Sequence, residues 1–198
     1  IHPHDAKSAT NELEAQLTVL ANNKHVIAIG ECGLDYNRDF SPRDVQRSVF
    51  RRQLALAEKL DLPVYLHERD ASDDMLSILK EFNIRGVLHC FTGNSAALKQ
   101  YLDLGLYIGI TGWVCDERRG KDLQQLVPSI PLDRLLIETD APFLIPRTVK
   151  PKPKSRKNEP ALLPYICQTV AQLYQIDEEV VARKTTENFH RVFGLEDR

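Results

Sequence analysis

The stretch DRLLIETDAP (133–142) carries Leu135, Leu136 and Ile137 straight into Glu138 and Asp140. Three consecutive large aliphatic residues suit a strand covered on both faces, as in a parallel sheet. Two carboxylates at its exit do not, because an uncompensated charge away from water is costly. A strand that ends this way needs something at its end to stabilise the acids.

Four more runs share the texture: VIAIGE (26–31), PVYLHE (63–68), RGVLHCF (85–91) and LYIGITG (106–112). Each is rich in Val, Ile and Leu and lacks strict polar alternation. Helical spacing fills the gaps between them. Ser41 is set to cap a helix with Pro42 at its first position, followed by Val45, Val49, Phe50, Leu54 and Ala57. Met75, Leu79 and Phe82 mark a second helix behind Ser72, and Leu98, Tyr101 and Leu102 a third, closed by Gly105. Leu123, Leu126 and Val127 end against Pro128, and two further helices carry Leu163, Ile166, Val170 and Leu173, then Val180, Val181, Phe189 and Val192. Strand and helix in alternation call for right-handed βαβ units and an α/β fold with a parallel sheet. No G-x-G-x-x-G follows the first run, which weakens an open dinucleotide-binding sheet.

The polar ends favour a closed TIM (β/α)8 barrel. Four runs terminate in or beside Glu31, His67, His89 and Asp140. In a parallel barrel the C-terminal strand ends are where active sites are assembled. Alternation places Ile27, Ile29 and Glu31 on one face, and likewise Tyr65 with His67, Val87 with His89, and Leu136 with Glu138 and Asp140. Cys32 and Cys90, one residue along, are expected to face the surrounding helices. Taken singly, a strand-end histidine is more often structural and a strand-end acid a helix cap. Four together at one rim point to metal: two imidazoles and two carboxylates suit one or two ions of Mg²⁺, Mn²⁺ or Zn²⁺. A carboxylate between two ions bridges them, and such a pair activates water and clamps a phosphodiester. Asp140 is then placed to take the proton of the attacking water. Glu138 reads either as a partner that orients a histidine or as a structural salt bridge.

HPHD (2–5), AIGECGLDY (28–36), PVYLHERDA (63–71), GVLHCFTG (86–93), IGITGWVC (108–115), LLIETDAPFL (135–144) and RKNEP (156–160) together closely resemble the TatD family of metal-dependent deoxyribonucleases, which belong to the amidohydrolase-like TIM barrels. The resemblance spans nearly the whole chain. It implies a Mg²⁺-dependent hydrolase of DNA phosphodiester bonds, with 3′–5′ exonuclease preference on single-stranded DNA and action on RNA in some members. It assigns Glu31 to the bridging carboxylate, His67 and His89 to imidazole ligands, and Asp140 to a ligand and general base. His2 matches a histidine that touches substrate phosphate, with His4 beside it. Family members carry about 60 residues more before HPHD, where eight strands close the ring. The expectation is therefore a partial barrel lacking its first strands, one domain over residues 1–198, with an N-terminal segment removed. An inactive remnant of the nuclease is the alternative this raises.

Residues 147–157, RTVKPKPKSRK, follow the last strand and hold six basic side chains among prolines. Lys150, Lys152, Lys154, Arg156 and Lys157 are expected to neutralise substrate phosphates over the barrel mouth. Arg118 and Arg119 join them from CDERRGKD (115–122), unless they merely pair with Asp116 and Glu117. Trp113 reads as a base-stacking platform or, slightly favoured, as packing. A related barrel acting on small lactones, amides or phosphotriesters would instead want an apolar pocket.

The charges nearly cancel, at a formal net −2, so any nucleic-acid contact must come from local patches. Four widely spaced cysteines, Cys32, Cys90, Cys115 and Cys167, include no C-x-x-C pair, which predicts reduced thiols and a cytoplasmic protein. No apolar run approaches a membrane span. A monomer is expected, with DNA repair among its settings.

Overall fold

The computed structural model describes residues 1–195. Five strands form one sheet in sequence order, every neighbouring pair parallel: β1 (Ile29–Asp35), β2 (Val64–Arg69), β3 (Gly86–Leu88), β4 (Tyr107–Ile110) and β5 (Leu135–Ile137). Sequential parallel pairing joined by helices is the repeat of a TIM barrel, here an arc with β1 and β5 at its edges.

Each apolar run of the sequence becomes a strand because its residues are buried from both sides. Cys32, Leu34, Val64, Leu66, Leu88, Ile108, Ile110 and Leu135 point outward into the main core, where helices cover them. These helices are α2 (Arg43–Leu60), α3 (Ser72–Leu79), α4 (Ser95–Asp103), α5 (Lys121–Leu126) and α6 (Leu163–Tyr174). Val87, Tyr107 and Leu136 point the other way, into a smaller cluster closed by Val192 of α7 (Glu178–Phe193). Burying one such side chain stabilises by about 1.5–3 kcal/mol, so the outer layer dominates the stability of the sheet.

Several local expectations change. Ser41 does not cap α2. Its hydroxyl donates to the carbonyl of His4 and accepts the N–H of Lys7, fastening the HPHD segment to the start of α2. An additional helix, α1 (Leu13–Ala21), lies before β1 and buries Leu13 with Ala6 against Val49 of α2. Asn94, which the sequence reading did not single out, caps the start of α4 by accepting from Ala97 N–H, and the turn after the helix follows expectation, with Gly105 at φ 78°.

Strand β1 departs most. It starts three residues later than its apolar run and continues past Glu31 to Asp35. The register jumps between Gly30, opposite Tyr65, and Cys32, opposite Leu66, so Glu31 is an extra, bulged residue. Ile29 packs in the outer core, and simple alternation would send Glu31 there as well. The bulge turns its carboxylate to the inner side instead.

Candidate active site

The inner rim of the sheet gathers two clusters of side chains, each built around one histidine. His67, on β2, lies between two acids of β1: its Nδ1 is 2.9 Å from Glu31 Oε1, and its Nε2 is 3.0 Å from Asp35 Oδ2. His89, just past β3, lies between two acids beyond β5: its Nδ1 is 2.9 Å from Glu138 Oε1, and its Nε2 is 3.3 Å from Asp140 Oδ1. Glu31, His67, His89 and Asp140, distant in sequence, thus stand on one rim. Glu31 feels both clusters, since the charge of His89 acts on it alongside that of His67.

Each ring nitrogen has a distinct environment. Behind His67, Asp35 is 1% exposed. Behind His89, Glu138 accepts from Cys90 N–H at 2.6 Å and bonds the Tyr65 hydroxyl, which is itself 2.9 Å from His89 Nδ1. Glu138 fits there only because Gly109 of β4 has no side chain: a Cβ on it would come within 2.2 Å of Glu138 Oε1. The expected choice for Glu138 therefore resolves as a partner of a histidine. In front, the opposite nitrogens face Glu31 and Asp140.

HPHD closes one side. His2 Nε2 approaches His67 Nδ1 at 3.3 Å and Glu31 Oε1 at 3.4 Å, while its Nδ1 accepts the backbone N–H of His4. A neutral His2 therefore carries its hydrogen on Nε2 and presents a donor to the rim. His4 turns to Asp35 Oδ2, at 2.7 Å.

The electrostatics suit a cation. Burial raises the Glu31 carboxyl, but hydrogen bonds from His2 and His67 and the charges of His89 and His67 overcome it and hold it well below its usual range. Burial alone would lower His89, yet bonds to Asp140 and Glu138 and the charges of Glu138 and Glu31 push it up to about 10. The acids around His89 thus favour a positive charge at this point. Front-facing nitrogens, carboxylates opposite them and a carboxylate behind each imidazole form the donor set and outer support expected of such a site.

Cys90 departs from expectation. Regular alternation ends with β3 at Leu88, and Cys90 has φ 48°. Its sulfur lies 3.3 Å from Thr111 Oγ1 and within 4.8 Å of donor atoms of His89 and Asp140, rather than among the helices. Burial pushes its thiol up to about 12, against a hydrogen bond to Thr111 that lowers it. All four cysteines are free.

The basic segment stands beside the rim. Buried Asn158 donates through Nδ2 to the carbonyls of Thr139 at 2.6 Å, Phe143 at 2.7 Å and Leu144 at 3.2 Å, tying the segment to the exit of β5. Lys150, Lys152, Lys154, Arg156 and Lys157 are exposed and form no ion pair among the described residues. Arg147 instead reaches Asp116 at 3.5 Å and Glu117 at 3.4 Å. Arg118 is exposed with no ion pair among the described residues, whereas Arg119 pairs with Asp116 and covers Trp113, whose ring packs against the core.

Asp35, Tyr65, Asn158 and the exposed rings of Phe40 and Phe143 escaped the reading of the sequence as a site. Asp35 stands in LDY and Asn158 in KNEP, both within quoted stretches, but neither terminates an apolar run. Phe40 packs edge-on against His4, with ring centroids 4.9 Å apart, and Phe143 is 68% exposed. An apolar cavity of about 580 Å³ lies between β5 and α7, lined by Leu136, Ile137, Phe189 and Phe193 among others. It touches Tyr65 and Glu138 but none of Glu31, His67, His89 or Asp140. No helix of the described residues is long and apolar enough to cross a membrane.

Residues 1–194 match the family model described as TatD related DNase. The chain is 50% identical over 199 residues to a 3′–5′ ssDNA/RNA exonuclease TatD of Klebsiella pneumoniae (strain 342), covering 99% of the chain and 76% of that protein. A protein of the same description from Yersinia pseudotuberculosis serotype O:3 (strain YPIII) is 52% identical over 198 residues, with 98% and 76% covered. Among solved structures, a hydrolase TatD family protein from Entamoeba histolytica superposes with TM-score 0.88 at 28% identity, covering 98% of this chain and 73% of that one. A TatD homolog from Escherichia coli K12 gives TM-score 0.87 at 27% identity, covering 98% and 74%.

Proposed function

The chain belongs to the TatD related DNase family, and from that membership we propose that it is a divalent-metal-dependent 3′–5′ exonuclease acting on single-stranded DNA and RNA. The observation that carries this reading is the pairing of each front-facing imidazole with a carboxylate on one rim: His67 with Glu31 and His89 with Asp140. Glu31, His67, His89 and Asp140 would hold one or two divalent ions, with Mg²⁺ the physiological choice. Bound there, the metal supplies Lewis acidity toward the phosphodiester and lowers the pKa of water.

The remaining roles belong to the protein. Glu31 and Asp140 are the catalytic carboxylates. Asp140, 29% exposed and paired with His89, is placed to accept the proton of the attacking water. His2 offers its Nε2–H to a phosphate oxygen, and His4 holds the segment that carries it. Lys150, Lys152, Lys154 and Arg156 line the approach of the backbone, with Arg118 on the neighbouring loop. Phe143 and Phe40 offer ring faces to unstacked bases, which favours a single strand over a duplex. The free thiols accord with a reducing, cytoplasmic setting, and we assign the chain as a monomer.

A small neutral substrate would want the apolar cavity, which none of the four rim residues lines. The polymer reading therefore stands ahead. Its test is degradation of a 3′-labelled and a 5′-labelled oligonucleotide with Mg²⁺, set beside Asp140→Ala and a panel of lactone, amide and phosphotriester substrates. Stepwise loss from the 3′ end, abolished in Asp140→Ala, is expected; an intact oligonucleotide in a chain that binds Mg²⁺ contradicts the proposal.

A further inference from the structure

We infer that Asp35 is a positioning residue: through one oxygen it keeps the ring hydrogen of both His4 and His67 on Nε2, and thereby aims the Nδ1 lone pair of His67 at the metal. The inference rests on His67 being a metal ligand, as proposed above, and concerns how that ligand is prepared.

The two oxygens of Asp35 divide their work. Oδ1 accepts the backbone N–H groups of Asn37 at 3.0 Å and Arg38 at 2.8 Å. Oδ2 faces His4 Nε2 at 2.7 Å and His67 Nε2 at 3.0 Å. An ionised carboxylate only accepts, so both ring nitrogens pointing at Oδ2 must donate. With two backbone N–H groups on Oδ1 and two ring nitrogens on Oδ2, all four contacts call for an accepting carboxylate.

The carboxylate is also prevented from swinging away. Asp35 N–H donates to Gln46 Oε1 at 2.8 Å, and Gln46 Nε2 returns to the carbonyls of Asp35 and Ser41. Gln46 and Ser41 are each 1% exposed or less. With Nε2–H fixed, the ring proton that a cation can replace is the one on Nδ1, shared with Glu31 Oε1 at 2.9 Å, and its loss leaves the lone pair of His67 at that atom. Because a single oxygen serves two rings, HPHD and the His67 ring keep one mutual orientation. His2, carried on that segment, is thereby registered to His67.

An amide in place of the acid inverts this arrangement with almost no change of shape. In Asp35→Asn the carbonyl oxygen stays with the Asn37 and Arg38 N–H groups, so the NH₂ donates to both imidazoles. Each ring must then answer with a lone pair on Nε2, which puts the hydrogen of His67 on Nδ1. The readouts are the ring tautomers, from long-range ¹H–¹⁵N spectra of the metal-free chain above the imidazole titration range, and Mn²⁺ affinity by calorimetry. Nε2–H is expected at His4 and His67 in the unsubstituted chain and Nδ1–H in Asp35→Asn, with Mn²⁺ affinity about 10- to 100-fold weaker. A His67 Nε2 without a hydrogen in the unsubstituted chain overturns the inference, and this holds even if the variant fails to fold. Undiminished Mn²⁺ affinity in Asp35→Asn, where His67→Ala weakens it, overturns the inference while sparing the metal site. If Glu31→Ala and His67→Ala both leave Mn²⁺ binding unaltered, the site and the inference fail together.

Discussion

Replacing Gly109 with alanine tests the inner arrangement from a residue that touches neither metal nor substrate. The new Cβ would lie 2.2 Å from Glu138 Oε1 and 2.7 Å from its Cδ, so the carboxylate must leave. The same oxygen accepts from His89 Nδ1 at 2.9 Å and Cys90 N at 2.6 Å. Hydrogen bonds to a charged group contribute about 1.5–3 kcal/mol each, and water recovers part of the loss, so the cost is on the order of 2–4 kcal/mol. His89 loses the acid behind it, and Mn²⁺ affinity should fall about 10- to 100-fold. Gly105→Ala is the control: at φ 78°, with no atom within 4 Å of the added Cβ, it strains the backbone alone. It should cost on the order of 1 kcal/mol and leave metal affinity alone. Urea unfolding and calorimetric Mn²⁺ titration on the two variants separate these effects. A Gly109→Ala chain that binds Mn²⁺ like its parent would refute the claim that Glu138 orients His89.

Three further outcomes follow from the surface and the loops. Removing Lys150, Lys152, Lys154 or Arg156 should weaken single-stranded DNA binding and flatten the logarithmic salt dependence by about 0.7 for each phosphate left unneutralised; equal slopes would detach that segment from the substrate. Phe143→Ala should cost about 1–3 kcal/mol of oligonucleotide affinity with little change in salt dependence, and equal affinity on a filter-binding assay would exclude stacking there. The Asp116 carboxyl lies well below its usual range because the backbone N–H of Arg119, opposed by burial, is joined by Arg118 N–H, the Arg119 side chain and Arg147. Its stabilisation is complete above the ordinary carboxylate range and disappears as pH falls through the depressed value, so Asp116→Asn should lower the urea midpoint at neutral pH by a gap that narrows below about pH 4. A gap constant with pH would contradict that account.

How far the sequence carried the reading differs residue by residue. The strands were legible because doubly covered strands are written as plain Val, Ile and Leu runs, and the polar residues ending them marked the rim. His67, His89, Glu138 and Asp140 needed only alternation or a strand end to be placed. Glu31 was assigned by residue type and resemblance, while the feature that turns it inward was invisible: a bulge leaves no composition signal, and alternation through Ile29 would have sent the acid outward. Asp35 was missed because the apolar run had ended and the strand had not. Cys90 was misplaced for the converse reason, since its strand stops at Leu88 and a left-handed residue follows. Ser41 carried a helix-cap signature, but its hydroxyl met a stronger claim from the HPHD backbone, a contact between segments that local propensity does not encode. Helix α1 carries few buried residues, so its pattern was faint.

The amide of Asn158 holds Thr139, Phe143 and Leu144 at one point, so the cationic residues between 145 and 157 form an arch closed at its base. An arch with a fixed base can change length or charge along its crown without displacing the acids at its foot. On the proposed role of that span in substrate binding, affinity for different polymers can diversify there without disturbing the rim, and grafting one relative's arch onto another becomes a practical way to exchange substrate range.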